Sequence, residues 1–89
     1  MNTIIIFTLN GCGHCKILKK KLDKLSILYT DIEVTENETI WKQVVEQTGH
    51  DVLPTVFIKK ENGDDGPVYV PGRDYQNEDE IIEIIKTYI

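Results

Sequence analysis

Thr3-Ile4-Ile5-Ile6-Phe7-Thr8-Leu9-Asn10-Gly11-Cys12-Gly13-His14-Cys15-Lys16 is the stretch on which the fold turns. Residues 3–9 form an apolar run without polar alternation, which predicts a strand buried on both faces. Asn10-Gly11 is a turn pair. Residues 16–25 carry Ile17, Leu18, Leu22 and Leu25 at helical spacing, with lysines on the other side. Strand, tight loop and helix follow one another directly. The two cysteines sit at the junction.

Outward from this unit, residues 27–34 read as a second strand. Thr35, with Glu38 three residues on, resembles a capping box. The helix it opens runs to Thr48, with Ile40, Trp41, Val44, Val45 and Thr48 on one face and Gly49 as its stop. Pro54 precedes a third strand over 55–60. Asn62-Gly63-Asp64-Asp65-Gly66 is a turn signal, and 68–70 make a short fourth strand. Asn77 reads as an N-cap, with Glu80 at the third helical position. The last helix carries Ile81, Ile82, Ile84, Ile85, Tyr88 and Ile89. The expected architecture is one α/β domain over 1–89. A parallel crossover is followed by a hairpin and a covering helix, giving a four-stranded mixed sheet flanked by three helices.

The chain has 89 residues and a net charge of −5, which argues against non-specific nucleic-acid binding. Lys16, Lys19, Lys20, Lys21 and Lys24 crowd one segment. They read as a solvated helix face that also places positive charge beside the cysteines. The first residues lack a basic leader region and a cleavage site, and the apolar run is far short of the ~20 residues of a membrane span. The expectation is a cytoplasmic, monomeric protein with no membrane partner. Two cysteines only three positions apart, in a reducing compartment, favour catalysis or metal binding over a structural staple.

At a helix N-terminus the first cysteine's thiolate gains from the macrodipole and from unpaired backbone N–H groups. Such placement commonly lowers a thiol pKa from ~8.5 toward ~3.5–7.5. Cys12 is therefore assigned as the nucleophile, and Cys15, one turn on, as the thiol that resolves the mixed disulfide. His14 lies between them. Protonated, it would stabilise the Cys12 thiolate, favour the reduced form and make the pair more oxidising. Lys16 and Lys19 add to that field, less the screening by salt. Zinc is the competing chemistry, but it needs two more ligands, and only His14 and His50 are at hand. No metal is expected. Only ~5–6% of X-Pro bonds are cis, yet a proline between helix and strand in this architecture suggests a cis Leu53–Pro54 bond facing the cysteines. Trp41 reads as a core residue and His50 as an exposed loop residue. Asp74 and the Asn77 region are most simply turn and cap residues.

Taken together, the chain resembles the glutaredoxin family of the thioredoxin superfamily over nearly its whole length. Ile5-Ile6-Phe7-Thr8 followed by Cys12-x-x-Cys15 is similar to that family's opening strand and active site. Gln47-Thr48-Gly49-His50-Asp51-Val52-Leu53-Pro54-Thr55-Val56-Phe57-Ile58 is similar to its helix-to-strand segment, with Pro54 at the cis-proline position. Pro71-Gly72-Arg73-Asp74 resembles its Gly-Gly-x-Asp turn. The resemblance implies a thioredoxin fold and thiol–disulfide exchange on disulfide-containing proteins, with glutathione as co-substrate. It also implies a glutathione groove using the backbone at Leu53 beside Pro54, and Arg73 and Asp74 near the γ-glutamyl end. Several positions depart from the pattern. Leu9 stands where the family often has lysine, Asn10-Gly11 replaces a Pro-aromatic pair, and Pro71 replaces a glycine. Gly13-His14 between the cysteines is typical of protein disulfide isomerases. Two alternatives follow. One is a thioredoxin- or isomerase-like protein with weak glutathione use. The other is a cluster-binding module, in which Cys12 of two chains and two glutathiones ligate iron–sulfur.

Overall fold

In a computed structural model, which describes residues 2–89, the apolar run becomes β1 (Thr3–Thr8), the second strand from one edge of a four-stranded sheet. The chain continues through α1 (Gly13–Lys24), β2 (Thr30–Glu33), α2 (Glu38–Thr48), β3 (Thr55–Lys59), β4 (Asp65–Tyr69) and α3 (Glu78–Lys86). The strand order is β2-β1-β3-β4. β1 pairs parallel with β2, with Ile6 opposite Asp31. It pairs antiparallel with β3, with Ile5 opposite Phe57. β3 pairs antiparallel with β4. The parallel pair needs a crossover, which α1 supplies, and the β3–β4 pair needs only a tight turn.

β1 is covered on both faces, as its lack of alternation predicts. Ile4 and Ile6 pack with Val56, Ile58, Leu18, Leu22, Ile81 and Ile85, beneath α1 and α3. Ile5 and Phe7 face the other way, toward Val34, Val44, Trp41 and Phe57 beneath α2. Trp41 is half-buried. Its ring lies 5.5 Å from that of Phe7, and its Nε1 donates to Asp51 at 3.1 Å. Fully burying a side chain such as Leu18 or Leu22 contributes about 1.5–3 kcal/mol, so packing against β1 fixes where α1 lies.

The structure differs from the sequence expectation in several places. α1 begins at Gly13, and its buried stripe is Cys15, Leu18 and Leu22, while Ile17 and Leu25 are exposed. The sheet covers a narrower arc of the helix than its apolar residues span. β2 is shorter than expected because Leu28 points into solvent and Ile27 turns inward ahead of the strand. Thr35 does not cap α2. Asn37 is the N-cap residue, without a side-chain capping bond, and the Thr35 hydroxyl instead donates to Glu33. Ile40 and Ile89 are exposed. β4 starts at Asp65 rather than at 68. The Asn77 cap holds, with Glu80 N donating to its Oδ1 at 3.0 Å. Gly49 ends α2 with φ 73°, the left-handed conformation glycine adopts without penalty.

Gly66 has a different constraint. It lies where the β3–β4 register shifts, and a Cβ built on it would meet the Ile58 carbonyl oxygen at 2.4 Å. Backbone stands on both sides of that clash, so no rotamer change relieves it. Gly66→Ala should therefore destabilise the protein by about 1–3 kcal/mol, read as a lower urea midpoint. Gly13→Ala, where the added carbon meets nothing within 4 Å, should not lower it.

Candidate active site

The loop after β1 is pinned before it reaches the first cysteine. Asn10 N donates to Glu33 Oε2 at 3.0 Å, and Cys12 N donates to Leu9 O at 3.0 Å. The Thr35 hydroxyl, with the Asn10, Thr35 and Glu36 amides, holds the Glu33 carboxyl below the usual carboxylate range against a small opposing effect of burial. Cys12 is then the N-cap of α1. Its backbone is extended (φ −76°, ψ 112°), and its Sγ accepts the Cys15 N–H at 3.3 Å. That sulfur therefore faces the N–H end of the helix, where negative charge is favoured.

Cys15 lies on the buried stripe of α1 with 1% of its surface exposed. Burial, then its contact with Cys12, pushes its thiol pKa up to about 12, against a pull downward from the Leu9 backbone and Lys19. Lys19 itself is held by Asp31 at 3.0 Å, and Asp31 also accepts the Thr8 hydroxyl at 2.5 Å. The two sulfurs, both free thiols, are thus unlike. Cys12 is partly exposed at a helix end. Cys15 is buried and protonated.

The Leu53–Pro54 bond is cis. Pro54, Leu53 and His14 line a small cavity of about 90 Å³ together with Pro71, Tyr75 and Glu78. Tyr75, buried, donates its hydroxyl proton to Pro54 O. Burial first, then the nearby Cys15, Glu78 and Cys12, pushes the Tyr75 phenol up. One buried ring therefore ties the proline loop to the turn that follows β4.

His14 is exposed, and its Nδ1 lies 2.7 Å from Glu78 Oε1. Arg73 and Asp74 lie past the end of β4 and do not line the cavity. Asp74 Oδ2 accepts from Val70 N at 2.7 Å and from Arg73 Nε at 2.9 Å, and an Arg73 guanidinium nitrogen donates to Val68 O at 3.1 Å. For Asp74, burial acts upward, but the Arg73 guanidinium and the Val70 N–H outweigh it and hold the carboxyl low. His50 is an exposed loop residue. Among the described residues no group of three or more His, Cys, Asp or Glu side chains is arranged to hold a metal ion, and no helix is long and apolar enough to cross a membrane.

Sequence reasoning missed Tyr75 and Glu78. Tyr75 follows directly on the Pro71-Gly72-Arg73-Asp74 turn, and Glu78 directly follows the Asn77 cap. Those turn and cap signals marked the right place without disclosing which side chains turn inward.

A four-stranded mixed sheet between helices, with a Cys-x-x-Cys pair capping α1 beside a cis-proline loop, is the thioredoxin fold with a dithiol site. The Glutaredoxin family model matches residues 4–62. The chain is 37% identical over 60 residues to glutaredoxin 1 of Rickettsia prowazekii, covering 65% of this chain and 63% of that one. It is 32% identical over 60 residues to a glutaredoxin of Ricinus communis, covering 64% and 59%. The matched part spans about three-fifths of the length of these relatives. Among solved structures, a buckwheat glutaredoxin–glutathione complex superposes with a TM-score of 0.62 at 25% identity, over 97% of this chain and 70% of that one. The Drosophila melanogaster thioredoxin Deadhead superposes with a TM-score of 0.69 at 14% identity, over 99% and 81%. The chain belongs to the glutaredoxin family.

The difference between the sulfurs predicts their labelling. Native reduced protein treated with iodoacetamide at pH 8 should take one adduct, at Cys12. A second, at Cys15, should appear only after denaturation, as read by intact mass and peptide mapping.

Proposed function

We propose that this protein is a thiol–disulfide oxidoreductase coupled to glutathione. The observation that carries the proposal is Cys12 Sγ at the N-cap of α1, with the Cys15 N–H donating to it and the Cys15 thiol buried one turn behind. Cys12 as thiolate attacks a substrate disulfide. A bond forms between Cys12 Sγ and one substrate sulfur, the substrate S–S bond breaks, and the other sulfur leaves as a thiolate that takes a proton. Cys15 then gives up its proton and attacks Cys12 Sγ. This releases the second substrate thiol and leaves a Cys12–Cys15 disulfide. Two glutathiones reverse these steps and depart joined to each other. The buried Cys15 stays protonated until the mixed disulfide forms, which keeps the order of attack fixed.

Family membership and the likeness to a glutaredoxin solved with glutathione support the glutathione coupling. In this assignment the backbone at Leu53 beside Pro54 receives the extended part of the tripeptide. Arg73 and Asp74, held rigidly by Val68 and Val70, supply charge for its γ-glutamyl end.

A second reading is exchange on protein disulfides with little use of glutathione. Two observations favour it. The Arg73 and Asp74 N–H groups are already bonded to Val70 O at 3.2 and 2.8 Å, and apolar Leu9, whose carbonyl accepts from Cys12 N, is exposed, as is Val52 two residues before Pro54.

Replacing Cys12 with Ser should abolish turnover of both protein disulfides and glutathione mixed disulfides. Replacing Cys15 with Ser should remove the first and spare the second. Full activity in Cys12→Ser would overturn the assignment. Turnover driven by glutathione and its reductase, against turnover driven by thioredoxin reductase, separates the two readings.

A further inference from the structure

A protonated imidazole beside Cys12 would by itself favour the thiolate and make the pair more oxidising. The structure adds a carboxylate. Glu78 Oε1 lies 2.7 Å from His14 Nδ1, with the Glu78 side chain only 14% exposed against 75% for His14. Glu78 is the first residue of α3, behind the Asn77 cap, so its carboxylate sits where the helix end favours an anion. It belongs to the cysteine end of the molecule. It lines the same cavity as His14, Pro54 and the buried Tyr75. Among the groups facing it, α1 offers His14 and Lys21 and the preceding turn offers Tyr75. Lys21 donates to Asp79 at 2.8 Å, so His14 is the basic side chain in direct contact with Glu78.

We infer that Glu78 is a positioning residue that holds His14 and offsets its charge at Cys12, biasing the dithiol pair toward reducing its substrates. The inference rests on the oxidoreductase assignment and gives it a direction. The sign follows from counting charge. With Glu78 present, the His14–Glu78 pair carries zero net charge when the imidazole is protonated and −1 when it is neutral. Without the carboxylate the same states carry +1 and zero. In either state of the imidazole, removing the carboxylate takes away one negative charge and makes the field at Cys12 more positive. A less positive field favours the thiolate less, and so favours the reduced form less. A pair whose reduced form is less favoured is the stronger reductant.

The test equilibrates the full chain with mixtures of reduced and oxidised glutathione. In that exchange the Cys12–Cys15 bond breaks, one bond forms between two glutathiones, and their thiol protons balance those gained by Cys12 and Cys15. The dithiol fraction is read by acid quench, alkylation and mass. Glu78→Gln keeps the side chain's size and an oxygen able to accept from Nδ1 while removing the charge. It should shift the equilibrium about three- to tenfold toward the dithiol. Glu78→Ala, a second variant in case the first fails to fold, should shift it the same way. It should also change the His14 ring nitrogen signals in NMR more than Glu78→Gln does. A folded variant with an unchanged equilibrium, or one moved toward the disulfide, would overturn the inference and leave the oxidoreductase assignment standing. If the unaltered protein showed no reversible dithiol–disulfide couple, the assignment itself would fall.

Discussion

A sulfur atom does at α1 what an oxygen does at most helix starts. The first turn of any helix leaves N–H groups without partners. At α3 Asn77 satisfies one with a 3.0 Å bond to an oxygen. At α1 the partner is Cys12 Sγ, at 3.3 Å. An N-cap contributes on the order of 1 kcal/mol, whereas Leu18 and Leu22 together contribute several times that by burial. The helix is therefore held by its packing on β1. Its place does not depend on the chemical state of the capping sulfur.

The charges near the two helix starts follow the same logic. The first turn of α3 carries Glu78, Asp79 and Glu80, while that of α1 carries no acid. An acid there would have stabilised α1 but competed with the sulfur for the same N–H groups. The helix repeat then supplies the rest of the asymmetry. Three positions on from a partly exposed cap, the chain has turned onto the face that bears Leu18 and Leu22, so the second sulfur is buried. One cysteine is partly accessible and the other enclosed because of where each falls on a single turn, with no further group needed to tell them apart.

What the sequence made legible was local. The β1 run, the Asn77 cap, the Gly49 stop and the placement of Pro54 each depend on a few neighbouring residues, and each appears where it was expected. Where an apolar stripe exceeds the area the sheet can cover, periodicity misleads. Ile17, Leu25 and Ile40 have helical spacing and still face solvent. Thr35 shows how a capping signal fails, since its hydroxyl donates to Glu33, two residues back, instead of accepting an N–H from the helix it precedes. The parts of the site that could not be read were those formed by chain return. His14 and Glu78 are 64 residues apart, and Tyr75 reaches Pro54 across 21. No local pattern encodes such meetings.

The site therefore has two sources. The cysteines, the strand before them and the cis-proline lie within residues 4–62, the stretch matched by the family. Tyr75 and Glu78, which tie down the proline loop and the histidine, come from beyond it. Exchange between thiols and disulfides needs only the first set, because a capping sulfur and a buried one behind it suffice. How strongly the pair holds its electrons also depends on the charges near the partly exposed sulfur. In this chain His14, from the stretch matched by the family, and Glu78, from the helix that closes over it, meet at 2.7 Å beside that site. A change confined to the start of α3 can thus alter what the cysteines favour without altering what they do.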